Sequence, residues 1–109
     1  MQRRIEKIKN ILDEKKAENI ELFDMRGKEY FVDFVLLAST LTQKHALALI
    51  DELKTRLKPL GEEFLAIESS DEWSVIDLGD IIIHLLSEEY RAKYQLEELL
   101  SELERAKRG

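Results

Sequence analysis

The chain has 109 residues, of which 44% are hydrophobic and 37% charged, with a formal net charge of −6 and no cysteine. That length holds one domain around one modest core. The missing cysteines exclude disulfides, thiolate chemistry and cysteine-ligated zinc. The acidic balance argues against broad phosphate-backbone binding and suits a basic protein partner.

Residues 3–16 read as an amphipathic helix, with Ile5, Ile8 and Leu12 at three- and four-residue steps, Ile11 beside them, and Lys9, Asp13 and Lys16 opposite. This segment, within residues 1–18, is basic at its start but has no apolar signal core. No stretch is long enough to span a bilayer, so a cytoplasmic location is expected. "NIELFDM" at 19–25 reads as a strand and "RGK" at 26–28 as a turn through Gly27. The near-continuous apolar run in "YFVDFVLLAS" predicts a second strand, buried on both faces.

Next comes a helix whose stripe is Ala46, Leu49, Ile50, Leu53 and Leu57, halted by Pro59 and Gly61. Thr40 and Thr42 are both candidate N-caps, and Thr40 with Gln43 has capping-box spacing. Glu52 and Arg56 stand four apart on its outer face, a pairing that adds minor support. Three strands follow, at 63–67, 73–78 and 80–86. Ser87 then has the character of an N-cap, with Glu88 and Glu89 in the first turn. The helix it opens carries Leu96, Leu99, Leu100 and Leu103, with a break near Gln95, and residues 104–109 form a charged tail. The order α-β-β-α-β-β-β-α with hairpin-short links predicts one α/β domain over residues 1–109. Its architecture is a sandwich with a mixed sheet of about five strands flanked by helices.

The stretch "WSVIDLGDIIIHLL" at 73–86 holds the residues that could do chemistry. A two-residue turn at Gly79-Asp80 sets Leu78 against Ile81, Val75 against His84 and Trp73 against Leu86. One face of the hairpin then carries Ile76, Leu78, Ile81, Ile83 and Leu85. The other carries Trp73, Val75, Asp77, Ile82, His84 and Leu86. Asp77 and His84 are diagonal neighbours there, close enough to hydrogen-bond, and such a pair would raise the His84 pKa. As a metal site, Asp77, Asp80 and His84 offer at most three ligands. As a catalytic dyad they lack a nucleophile motif, and the chain has neither a P-loop nor a G-x-G-x-x-G. No metal or cofactor is therefore expected, and a polar patch beside a tryptophan fits a binding surface.

The same stretch, extended through "SEEYRAKYQLEEL", resembles the signature of the ribosomal silencing factor family, also called Iojap. Trp73, Asp77, Gly79, Asp80, His84, Arg91, Tyr94, Leu96 and Glu97 match at the family's spacing. Asp33, Phe34, Ala38 and Ser39 carry a second, weaker match upstream, and the resemblance covers roughly residues 5–103. Leu78 stands where the family usually has Tyr, Thr40 and Ser69 where it has Gly, and Leu100 where a Trp often follows. The resemblance implies a nucleotidyltransferase-like fold and a protein, often homodimeric, that binds the large ribosomal subunit through protein L-fourteen. There it blocks joining of the small subunit and represses translation, and members also take part in large-subunit maturation. It marks Trp73, Asp77, Leu78, Gly79, Asp80, His84, Arg91 and Tyr94 as the partner-binding residues. Two alternatives stand beside it. A magnesium-dependent nucleotidyltransferase-like enzyme would need a D-x-D or D-x-E on the strand after "ASTLTQ", where none occurs. A generic dimeric adaptor would need no ribosome at all.

Overall fold

The computed structural model describes residues 2–27 and 31–105. The elements run α1 (Gln2–Glu14), β1 (Glu18–Asp24), β2 (Phe34–Ser39), α2 (Gln43–Leu57), β3 (Ala66–Ser69), β4 (Trp73–Asp77), β5 (Ile81–Leu86), α3 (Glu88–Tyr94) and α4 (Leu96–Arg105), with a 3₁₀ turn at Lys58–Leu60. The strands make one sheet in the order β1-β2-β5-β4-β3. β2 and β5 run parallel and every other neighbouring pair antiparallel, so the sheet is mixed as expected. The parallel pair needs a crossover, and α2, β3 and β4 supply it.

The sheet separates two apolar clusters. On one face α1 contributes Ile5, Ile8, Ile11 and Leu12, and α2 contributes Ala46, Leu49, Ile50, Leu53 and Leu57. These pack on Leu36, Ile76, Ile81, Ile83 and Leu85, and Leu78 joins them. On the other face Val35, Leu37, Ile82 and Leu86 meet Phe23, Met25, Val32 and Leu100, with Trp73, Val75, Tyr90, Leu96 and Leu103 half-buried against them. All six residues of β2 are buried, which accounts for its continuous apolar run.

Several local details depart from expectation for reasons that lie in the tertiary structure. Thr42, not Thr40, caps α2, its hydroxyl accepting from the His45 amide at 3.0 Å. Thr40 instead continues the sheet, its amide donating to the Leu86 carbonyl at 2.8 Å. Arg56 pairs with Glu14 of α1, and Glu52 with Lys15 in the turn just after it at 3.5 Å, so the expected Glu52–Arg56 pair gives way to two ties between α2 and the end of α1. β3 begins at Ala66 and not Glu63. Its alternation suits either start, and the register is set by β4, with Ile67 against Ile76 and the Leu65 amide donating to the Asp77 carbonyl at 2.8 Å. Gln95 breaks the C-terminal helix with φ 50°, and Gly27 is left-handed with φ 74°. Lys28 of the expected turn, Tyr30 in the stretch expected to hold the second strand and tail residues 106–109 lie outside the described residues.

Candidate functional site

The β4–β5 hairpin has the expected register, pairing Trp73 with Leu86, Val75 with His84 and Ile76 with Ile83. Gly79 turns the chain at φ 95°, a left-handed conformation that costs glycine little, and the Leu78 amide donates to the Ile81 carbonyl at 2.9 Å. Directly paired residues share a face. Leu37 of β2, His84 of β5, Val75 of β4 and Glu68 of β3 therefore form one row across the sheet.

Three members of this row, His84, Val75 and Glu68, floor a hollow of about 300 Å³ that is also lined by Trp73, Leu86, Tyr90 and Leu96. Trp73 and Leu86 close one end, Tyr90 comes from α3 and Leu96 from the first residue of α4. The Ser87 amide donates to the Glu72 carbonyl at 2.9 Å, tying the chain just before β4 to the start of α3. Ser87 in turn caps α3, accepting from the Tyr90 amide at 3.0 Å and so setting Tyr90 over the sheet. The walls are mostly apolar, and Glu68 is exposed at the margin.

The structure distributes the eight expected site residues over five places. Trp73 and His84 meet in the hollow. Asp77, Gly79 and Asp80 lie at the far end of the hairpin, with Asp77 four residues and about 13 Å from Trp73 along β4. Leu78 is buried in the first core, on the opposite face of the sheet. Arg91 is buried behind α3, at 4% exposure. Tyr94 is 52% exposed, its ring 4.6 Å from that of Tyr90. Sequence reasoning put Val75 and Leu86 on the face of Trp73 and His84 without marking them as site residues, and it missed Tyr90 and Leu96 as lining residues. The signal for Tyr90 was present, since a residue three beyond the Ser87 N-cap is fixed by the cap itself.

The expected Asp77–His84 hydrogen bond is not formed. Asp77 Oδ1 accepts from the Gly79 amide at 2.8 Å, an Asx turn that holds the tight loop. Asp80, beside it in the turn, is gripped by Arg4 of α1. Left among apolar neighbours, His84 has its pKa lowered by burial, the reverse of the rise a carboxylate partner would cause. A lowered folded pKa means that the unfolded chain binds the proton first as pH falls. Stability is therefore expected to decline below the unfolded value of about 6.5 and to level off once pH passes the folded value. Urea unfolding across that range should show this decline in the wild type and not in His84→Leu, and the His84 ring signal should be indifferent to Asp77→Asn.

Among the described residues, no group of three or more His, Asp or Glu side chains is placed to hold a metal ion, and no helix is long and apolar enough to cross a membrane. What the hollow offers is two aromatic rings, aliphatic walls, one imidazole without a hydrogen-bond partner and a carboxylate at the margin. These are the materials of a protein-docking surface.

A family model described as ribosomal silencing factor during starvation matches residues 1–108. The chain belongs to this family. The ribosomal silencing factor RsfS of Halalkalibacterium halodurans is 35% identical to it over 92 residues, covering 83% of this chain and 79% of the relative. The RsfS of Haemophilus influenzae is 33% identical over 97 residues, covering 87% and 95%. A crystal structure from Bacillus halodurans superposes with a TM-score of 0.79 at 33% identity, covering 91% of this chain and 94% of that one. Membership of the ribosomal silencing factors agrees with the resemblance carried by the Trp73–Glu97 stretch.

Proposed function

We infer that this protein binds the large ribosomal subunit, through protein L-fourteen, and keeps the small subunit from joining, so repressing translation. The observation that carries the reading is the Trp73–Tyr90 hollow, in a chain whose family is described as silencing ribosomes during starvation. An apolar recess with two aromatic rings supplies the kind of central anchor on which protein interfaces depend. A net charge of −6 favours encounter with a basic ribosomal protein. The mechanism is occlusion. A folded domain seated where the two subunits meet excludes the second subunit by volume, and needs no bond to be made or broken. The same reading includes a part in large-subunit maturation and a homodimeric free form.

The test uses purified subunits. Added protein is expected to shift a mixture from joined ribosomes to free subunits on a sucrose gradient and to sediment with the large one. A profile unchanged by molar excess would sink the proposal. Nucleotide turnover with magnesium would point to the enzyme instead, and a stable dimer that ignores ribosomes to the adaptor. Sedimentation of the free chain decides its oligomeric state.

A further inference from the structure

Arg91 is the one buried charged residue among those described. Its Nη1 donates to Ser39 Oγ at 2.7 Å and to the Asn19 carbonyl at 2.9 Å, reaching the end of β2 and the start of β1. Its Nη2 lies 2.5 Å from Oε1 of Glu97, a close ion pair without the alignment of a hydrogen bond, and Nε has no partner. Glu88, on the same helix, accepts from Asn19 Nδ2 at 2.6 Å. Its carboxyl is held below the usual range, chiefly by the Ser39 hydroxyl and the Asn19 amide, with a smaller contribution from the Arg91 charge.

These bonds converge on the elbow between α3 and α4. Arg91 comes from α3, Glu97 from α4, and between them Gln95 takes a left-handed conformation at φ 50°. A non-glycine residue holds such a conformation only where its surroundings impose it. On either side of the clamp stand Tyr90 and Leu96, each next in sequence to one of its members and each lining the hollow. A planar, forked guanidinium can bind the sheet edge and the second helix at once, which a single ammonium cannot do.

We propose that Arg91 is a positioning residue for the docking hollow: it touches no partner, but by bridging β1, β2 and Glu97 it fixes the α3–α4 elbow that sets Tyr90 and Leu96 over Trp73. The inference rests on the function proposed above and assigns a different role to a residue that the family resemblance marks as partner-binding.

Trp73 is the sole tryptophan, so its fluorescence reports on the hollow without any ribosome. Arg91→Met removes the clamp, and Glu97→Gln weakens it from the half-exposed end, where the fold is least at risk. Both variants should leave Trp73 more open to iodide quenching. At temperatures where each is fully folded, both should bind purified large subunits more weakly, Arg91→Met by about tenfold, the scale of one lost charged hydrogen bond, and Glu97→Gln by about threefold, the scale of a half-exposed ion pair. Wild-type quenching in both variants would overturn the proposal, whatever happens to binding. So would raised quenching with wild-type binding, because the elbow would then be irrelevant to docking. Should Arg91→Met fail to fold, Glu97→Gln decides alone. Should Trp73→Ala bind as wild type, the surface itself is misassigned, and the quenching measurement still decides what Arg91 holds.

Discussion

Trp73→Ala is expected to weaken large-subunit binding by about thirtyfold or more, the ~2 kcal/mol or greater loss of a central interface aromatic. The alternative is that Trp73 serves the fold alone, in which case truncation removes stability and leaves binding intact. The structure supports a mixed outcome of defined proportion. Trp73 is half-buried, packed on Leu86 and Val75 of the second core with one side open to the hollow. A fully buried Trp would cost about 3–5 kcal/mol of stability on truncation, so the half-buried ring should cost roughly half as much. The melt should fall by several degrees, and binding should be measured well below it. Loss of binding there, in protein shown to be folded by its circular dichroism, assigns the open side of the ring to the partner. Wild-type binding there assigns the whole ring to the core. Tyr94→Ala makes a useful comparison, because its side chain is mostly exposed and its truncation should cost only the ring contact with Tyr90, about 0.5–1.5 kcal/mol of stability.

The hairpin that carries Trp73 was legible in the sequence down to its register. Its strands alternate with period two, and Gly79 marks a turn that few other residues can make, so both faces could be assigned residue by residue. α2 was equally legible, since its five-residue stripe is long enough to exclude a strand. What covers the second face was not legible. Leu96 and Leu100 read simply as a helical stripe, and only the elbow at Gln95 decides where that stripe lands. The charged partners were the least legible of all. Spacing along the chain suggested Glu52 for Arg56, and the folded chain supplied Glu14, 42 positions away. Spacing likewise suggested Asp77 for His84, and the turn claimed Asp77 first. A local pattern sees only local partners, and an exposed pair four residues apart is worth too little to compete with a tertiary alternative.

Arg4→Ala should lower stability by about 2 kcal/mol, the result of a long-range network hidden in the same way. From α1, Arg4 binds Glu62 through Nε and Nη2 at 2.6 and 2.8 Å, and Asp80 through Nη1 and Nη2 at 2.6 and 2.9 Å. It thereby ties α1 both to the chain beyond α2 and to the hairpin turn. Losing one partner of a fully buried ion pair costs about 3–5 kcal/mol. Here Glu62 is 9% exposed but Arg4 and Asp80 are 33% and 36% exposed, so water screens part of the network and the smaller figure follows. The pH dependence separates this cause from mere loss of packing. Asp80 has its pKa lowered, first by its hydrogen bonds from Arg4, against the opposing effect of burial. A carboxylate lowered in this way adds stability that is present above its unfolded pKa of about 3.9 and is lost as pH falls through the folded value. The shift on Arg4 is upward and lies beyond the accessible pH range. The wild type should therefore lose stability steeply on the acid side, and Arg4→Ala should lose less there, so that the two unfolding curves converge toward low pH. Parallel curves would mean that the variant had lost packing and not an ion pair.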